Sequence, residues 1–169
     1  IDMMNNPTPH LTAPARGGLD VALRFGTGPW PGFDCRPLMP APLLLVGAPR
    51  LFPDGLPRRP EDLLRYPWLQ ELGTNETSRW LESRGVTATR ASAIIHLPGN
   101  LLLDGLRSGQ GVAVATRLAV EADLESGRLV ALFEDEAETY YHVVTRPGPA
   151  RPALRAFLRW LRREARNVE

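Results

Sequence analysis

Four short polar or glycine-rich turns are the places where this chain of 169 residues could do chemistry. They are Asn5-Asn6, Gly26-Thr27-Gly28, Gly73-Thr74-Asn75 and Leu97-Pro98-Gly99-Asn100, each at the end of a predicted element. The last two precede predicted helices, whose first backbone N–H groups have no intrahelical acceptor and could hold a carboxylate. Helix starts of this kind also occur as plain structural caps, so the pattern favours a small-molecule site without fixing one.

Catalytic and metal-binding patterns are weak. His10, His96 and His142 are scattered and lack H-x-x-x-H or H-E-x-x-H spacing. The Gly26-Thr27-Gly28 turn lacks the third glycine and the following helix of a dinucleotide fingerprint. The single cysteine, Cys35, excludes an internal disulfide and a cysteine-based zinc site. We therefore expect a protein that is not an enzyme and that uses neither cofactor nor metal.

Composition limits the partners. The formal net charge is +1, and all 20 basic residues are arginine. This balance gives no electrostatic case for nucleic-acid binding by the chain itself. No apolar run approaches the roughly 18 residues of a membrane helix, so no membrane association is expected. A chain of this length can bury a core as one domain or as two small lobes.

The turns require a framework of alternating strands and helices. Local patterns predict strands at 1–4, 21–25, 43–46, 68–72, 86–96, 111–115, 127–133 and 139–145. They predict a short helix at 59–64, a helix capped by Thr74 or Asn75 that ends near Gly85, a helix at 98–106 and one from cap Thr116 through Ala122. This alternation indicates an α/β protein with mostly parallel strand pairing.

The final helix is the clearest periodic signal. Its apolar residues recur at helical spacing, with arginines largely on the other faces; they are Leu154, Phe157, Leu158, Leu161 and Ala165. This pattern predicts an amphipathic helix that docks on a sheet or on a partner.

One longer motif is more specific. Residues 18–32 read Gly-Leu-Asp-Val-Ala-Leu-Arg-Phe-Gly-Thr-Gly-Pro-Trp-Pro-Gly, followed by Ala48-Pro49, Trp80-Leu81, Gly109-x-Gly111 and Tyr140-Tyr141. Together these residues resemble the effector-binding domain of LysR-type transcriptional regulators. The resemblance covers essentially the whole chain and is strongest to the subgroup of the glycine-cleavage activator and the regulators of inducible β-lactamase.

The resemblance implies a two-lobe, periplasmic-binding-protein-like (type II) α/β domain with mixed sheets flanked by helices. Lobe I would comprise residues 1–43 and 141–169, and lobe II, inserted into it, residues 44–140. The first strand and helix of the family's domain would lie upstream of this chain.

The resemblance also implies an effector site in the cleft between the lobes. The residues carried over are Asn5, Asn6, Phe25, Gly26, Thr27, Gly28, Thr74, Asn75, Thr77, Pro98, Gly99, Asn100 and Tyr140. Close relatives often have an acid where Thr27 stands, a tryptophan where Thr77 stands and a serine pair where Pro98-Gly99 stands. These departures suggest a different effector, which we expect to be a small polar or anionic metabolite such as an amino acid or a carboxylate.

The expected function is effector sensing by the regulatory domain of a bacterial, cytoplasmic transcription regulator. Effector binding would change a homodimer or tetramer that acts on DNA through an upstream helix-turn-helix absent from this chain. The alternative is a periplasmic solute-binding protein of a transport system, which shares the fold. An upstream helix-turn-helix would select the first function, and a secretory signal peptide the second.

Overall fold

The computed structural model describes residues 20–85, 94–135 and 138–166. The chain divides into two compact units. The first unit comprises Ile1–Ala41 with Glu138–Glu169, and the second comprises Pro42–Ala137. The predicted strand at 1–4 and most of the predicted strand at 86–96 lie outside the described residues.

In its described residues, the first unit has a three-stranded antiparallel sheet and a helix. The strands are β1 (Val21–Gly26), β2 (Asp34–Pro40) and β8 (Tyr140–Thr145), and the helix is α4 (Pro152–Ala165). Strand β8 lies in the middle and pairs with both neighbours. The prolines of β2 suit an edge strand, because proline has no N–H to donate to a second neighbour. The sequence indicated only an extended segment here, and β2 also carries a bulge between Pro37 and Met39.

The second unit holds the remaining elements. They are β3 (Leu43–Gly47), 3-10 helices at Pro49–Leu51 and Pro60–Arg65, β4 (Trp68–Glu71), α1 (Glu76–Ser83), β5 (Ile94–Leu97), α2 (Gly99–Arg107), β6 (Val112–Thr116), α3 (Arg117–Glu125) and β7 (Val130–Glu134). The predicted short helix at 59–64 is thus a 3-10 helix. Helix α3 runs three residues beyond the predicted end at Ala122, because Gly127 and not Ala122 marks the turn that follows it.

Strand pairing in the second unit is mixed. The sheet order is β5-β4-β6-β3-β7; β4 is parallel to β5 and β6, whereas β3 is antiparallel to β6 and β7. The prediction of mostly parallel pairing is therefore wrong. Parallel neighbours need a crossover connection, and α1 and α2 supply crossovers only around β4, β5 and β6. In the first unit, β8 runs antiparallel to both of its neighbours.

The core of the second unit follows from the apolar periodicities. Strand β3 is buried along its whole length, as expected for a central strand with both faces covered. Leu102 and Leu106 lie one helical turn apart on α2, and both pack into the core. On the opposite side, the rings of Trp68 and Trp80 pack with centroids 5.7 Å apart. This packing joins the first residue of β4 to α1, on either side of the polar turn at 73–75.

The two predicted side-chain caps are not formed. Asn75 and Thr116 occupy the N-cap positions of α1 and α3, but neither side chain makes a cap hydrogen bond. At α3, the Arg117 N–H instead donates to the Pro42 carbonyl oxygen at 2.9 Å. The residue before β3 thus supplies an acceptor for the first N–H of α3, whereas a threonine cap would accept from the second or third N–H of the helix. Within the described ranges, no helix is long and apolar enough to cross a lipid bilayer.

Candidate functional site

Two of the predicted turns meet at one end of the second sheet. Parallel strands β4 and β5 end in register, with Glu71 opposite Leu97, and the Leu72 N–H donates to the Leu97 carbonyl oxygen at 2.8 Å. The segments that follow both strands therefore lie at the same edge. We call segments 70–78 and 97–100 the second-unit edge. Ligands of α/β sheets commonly bind outside the carboxyl ends of the strands.

The start of α1 is already supplied with acceptors from the chain itself. The Gln70 side-chain oxygen accepts from the Ser78 N–H at 3.1 Å and from its hydroxyl at 3.2 Å. Glu76 Oε2 accepts from the Asn75 N–H at 3.1 Å, and the Thr74 N–H donates to the Glu71 carbonyl oxygen at 3.1 Å. The Ser78 N–H in the first turn of α1 is therefore already used by the chain. Binding of a ligand carboxylate at this helix start stays a prediction.

Thr77 has a structural contact of its own. Its hydroxyl donates to the Leu69 carbonyl oxygen at 3.1 Å, and the residue is buried. This bond joins the first turn of α1 to the middle of β4. Contact between Thr77 and an effector stays a prediction. It would require the buried Thr77 hydroxyl to become accessible from its place against β4.

The start of α2 faces a carboxylate. Gly99 is the first residue of the helix, and a Cβ at this position would overlap the Glu71 carboxylate. Pro98 precedes it with an extended backbone, and its carbonyl oxygen accepts from the N–H groups of Leu101 and Leu102. A carboxylate is favoured at a helix N-terminus by the partial positive charge there. Glycine at 99 thus allows the Glu71 carboxylate to lie beside the start of α2, near the place that the sequence predicted for a ligand anion.

The first unit brings together a second group of predicted residues. Gly26, at the end of β1, lies opposite Tyr140, at the start of β8, and Phe25 lies opposite Tyr141. The rings of Phe25 and Tyr141 meet edge to face with centroids 5.8 Å apart. The exposed Thr27 follows directly in the turn. Hence Phe25, Gly26, Thr27 and Tyr140 share one end of the β1–β8 pair.

A buried polar cluster supports this turn. Arg24 and His142 are cross-strand neighbours, 7% and 5% exposed, and the Trp30 ring contacts both. The Arg24 guanidinium lies 4.4 Å from the Trp30 ring centroid, and burial lowers the pKa of that guanidinium. A Cβ on Gly28 would come 3.1 Å from His142 Nε2. Gly28, with φ +49°, is thus fixed by close packing as well as by its backbone conformation.

Some predictions have no counterpart among the described residues. Asn5 and Asn6 lie outside them. In ranges 20–85, 94–135 and 138–166 no group of three or more His, Cys, Asp or Glu side chains could hold a metal ion. The predicted site residues that the structure describes form two groups, one in each unit.

Comparison with known proteins identifies the family. The family model "LysR substrate binding domain" matches residues 1–166. The chain belongs to the LysR substrate-binding domain family. The family that the motif at 18–32 predicted is thereby confirmed.

Individual relatives agree with this assignment. The "AhcY transcriptional activator HvrB" of Rhodobacter capsulatus is 32% identical over 88% of this chain and 51% of its own length. The "HTH-type transcriptional activator AmpR" of Citrobacter koseri is 31% identical over 93% of this chain and 54% of its own. The solved AmpR effector-binding domain of Citrobacter freundii superposes with a TM-score of 0.74 at 26% identity, covering 95% of this chain and 81% of that one.

These comparisons confirm the predicted fold class, a two-lobe α/β domain of the periplasmic-binding type with mixed sheets. The curated relatives are transcriptional regulators, and the chain spans about half of their length.

Sequence reasoning missed two side chains of this LysR domain that the structure places at the second-unit edge. Gln70 ties the Thr74 carbonyl oxygen to the start of α1, donating at 2.9 Å, and Glu71 lies beside Gly99. They are the last two residues of β4, just before the turn at Gly73. A polar pair at the carboxyl end of an otherwise apolar strand was the signal that could have found them.

Proposed function

We propose that this chain is the effector-sensing domain of a bacterial transcription regulator that works in the cytoplasm and is not an enzyme. The observation that carries the proposal is the match of the LysR substrate-binding family model to residues 1–166. Relatives named as transcriptional activators support regulation over solute transport. The DNA-binding part of the protein, a helix-turn-helix, is proposed to belong to a portion outside this chain.

The effector is proposed to bind at the second-unit edge, through Thr74, Asn75 and the segment 98–100. Strands β4 and β5 end at this edge, and helices α1 and α2 begin there. Each of the two turns is therefore held between a strand and a helix. In the first unit, we propose that the turn at 26–28, Phe25 and Tyr140 contribute to effector binding. Thr77 is proposed to act by holding α1 in place.

The charges of the second-unit edge favour one chemistry for the effector. Glu71 and Glu76 supply carboxylates beside the helix starts, and each carboxylate can accept from more than one donor. An added carboxylate would meet like charge there, whereas an ammonium or amide would find acceptors. Leu72 and Leu101 are 56% and 47% exposed at the same edge and offer apolar contact. We therefore propose a small polar metabolite that presents an ammonium or amide donor, such as an amino acid.

The regulatory step is proposed to be a shift between states of a homodimer or tetramer. An effector moves such an equilibrium only by its differential affinity for the two states. A tenfold change in population needs about 1.4 kcal/mol, which one or two charge-assisted hydrogen bonds supply.

A thermal-shift screen of the 169-residue chain tests the proposal. The ligands are the amino acids, their decarboxylated amines and their deaminated acids. We expect stabilisation by one amino acid or amine, and about a tenfold weaker affinity for it in Glu71→Gln, since a charged acceptor is replaced by a neutral one.

Glu125→Gln provides the matched control, because Glu125 is an exposed glutamate of the same unit on α3. It should bind like the wild-type chain. Stabilisation by a deaminated acid that Glu71→Gln leaves unchanged would contradict the proposed chemistry of the effector.

A further inference from the structure

The first unit contains a cavity that none of the predicted effector residues lines. It has a volume of about 330 Å³ and lies between the sheet and α4. Its walls include Arg36, Arg155, Arg159 and Arg162, together with Asp34 and Thr145. Four cations against one carboxylate make it strongly basic, although the chain as a whole carries a net charge of only +1.

The two secondary-structure periods bring these side chains together. Asp34 and Arg36 are two residues apart on β2 and lie opposite Thr145 and Val143 of β8, so all four point to one face of the sheet. Arg155, Arg159 and Arg162 recur at i, i+4 and i+7 on α4, which places them along one stripe of the helix. The cavity is therefore a built feature of sheet and helix.

The arginines are poorly neutralised. Within ranges 20–85, 94–135 and 138–166, Arg36, Arg159 and Arg162 make no ion pair, and Arg155 Nη1 donates to the Ala150 carbonyl oxygen at 2.7 Å. Like charges three or four residues apart destabilise a helix. Arg155 also lies in the first turn of α4, where the helix dipole disfavours a cation. Exposure of these side chains to water lowers this cost, and a bound anion would remove it.

We propose that this cavity is a binding site for a small phosphate-type polyanion, separate from the effector site. Guanidinium groups bind phosphate oxygens through paired N–H donors, and the Thr145 hydroxyl can add a further donor. A volume of about 330 Å³ suits a small ligand held in a concave site. A nucleic-acid backbone, in contrast, is usually met by basic groups spread over an open surface.

Calorimetric titration of the 169-residue chain with pyrophosphate at low ionic strength tests this site. We expect binding that weakens as salt is added. The double variant Arg159→Gln with Arg162→Gln should lose at least about tenfold in affinity, and Arg36→Gln, on the opposite wall, several-fold. Circular dichroism and the melting temperature of each variant verify that it is folded.

Arg163→Gln is the matched control. Arg163 lies on the same helix outside the cavity and pairs with Glu164 at 3.1 Å, so its variant should keep the wild-type affinity for pyrophosphate. The proposal is overturned if wild-type chain does not bind pyrophosphate, or if Arg163→Gln loses as much as the double variant. It is also overturned if the cavity variants weaken binding to random duplex DNA while pyrophosphate binding is unchanged.

Discussion

The second-unit edge and the arginine-lined cavity of the first unit are opposite in charge and in the way that charge is handled. At the edge, Gln70 accepts from the Ser78 N–H of α1, Glu76 accepts from the Asn75 N–H just before that helix, and the Glu71 carboxylate lies beside Gly99 at the start of α2. In the cavity, Arg36, Arg159 and Arg162 make no ion pair within the described part of the chain. The formal net charge of +1 indicates neither the acidic edge nor the basic cavity. The difference teaches that a helix start or a cation does not by itself indicate a ligand site, because the polar groups around it can already be paired within the chain.

The largest expected effect concerns the ion cluster that supports the second unit. Asp123 is 1% exposed; it accepts from Arg107 Nη2 at 2.8 Å and lies 2.8 Å from Arg128 Nε. Asp123→Ala should reduce the free energy of unfolding by about 2 kcal/mol, because it removes charge-assisted hydrogen bonds to two arginines, which remain partly exposed to water. Urea denaturation measures this change.

Asp104→Ala is the control for that variant, since Asp104 pairs with the same Arg107 but is exposed. It should cost less than about 1 kcal/mol. If both variants cost the same, Asp123 does not have the supporting role assigned to it.

The cavity variants Arg159→Gln and Arg162→Gln should each change the free energy of unfolding by no more than about 0.5 kcal/mol.

The same carboxylate predicts a dependence of stability on pH. Hydrogen bonds from Arg107, aided by the charge of Arg128, hold the pKa of the Asp123 carboxyl below its usual range. A group with a lowered folded-state pKa stabilises the protein above its unfolded pKa, about 3.9 for aspartate, and this contribution is lost as the pH falls through the folded pKa.

Urea denaturation from pH 7 to pH 3 measures the loss. The unfolding free energy of the wild-type chain should fall more steeply below about pH 4 than that of Asp123→Asn. Parallel curves for the two proteins would remove Asp123 as the source of the effect.

A smaller effect is expected where Gly99 meets Glu71. Gly99→Ala places a Cβ where the Glu71 carboxylate now lies, so that carboxylate must move away from the start of α2. A double-mutant cycle with Glu71→Ala should give a coupling energy of about 1 kcal/mol. Asn100→Ala, at the exposed next residue, should show no coupling with Glu71→Ala. Zero coupling for Gly99 as well would mean that the place of the Glu71 carboxylate does not depend on the absence of a side chain at position 99.

The smallest expected effect is that of Tyr140→Phe, which removes one hydroxyl and little packing. In the complete regulator we expect the effector concentration for half-maximal response to rise about fivefold, as for the loss of one hydrogen bond. DNA affinity without effector should be unchanged. Tyr141→Phe, the next residue of β8 on the opposite face, is the matched control. An unaltered dose-response in Tyr140→Phe would remove this residue from the site.

The sequence predicted most elements because their signals are local. The alternation in 139–145 and the period of α4 depend only on neighbouring residues, and both elements form as predicted. Strand direction was missed because β8 joins its sheet through pairing with segments more than 100 residues away.

The use of polar groups at the candidate site was also non-local. Glu71 fills the space at Gly99, which lies 28 residues later in the chain, and Gln70 accepts from Ser78 on the next element. Motif spacing identifies the helix starts but does not show what already occupies them. The helical spacing of the arginines on α4 could be read from the sequence. Their proximity to Arg36 on β2 could not.

The most direct test of the proposed function is a chemical-shift map of the isotope-labelled chain, titrated with the compound that stabilises it in the thermal-shift screen. The account predicts the largest changes at the amides of Gly73–Ser78 and of Gly99 and Asn100, where the second-unit edge receives the effector. It also predicts that Glu71→Gln weakens these changes at equal ligand concentration. Changes confined to α4 and the β2–β8 face, with the second-unit edge unaffected, would contradict it.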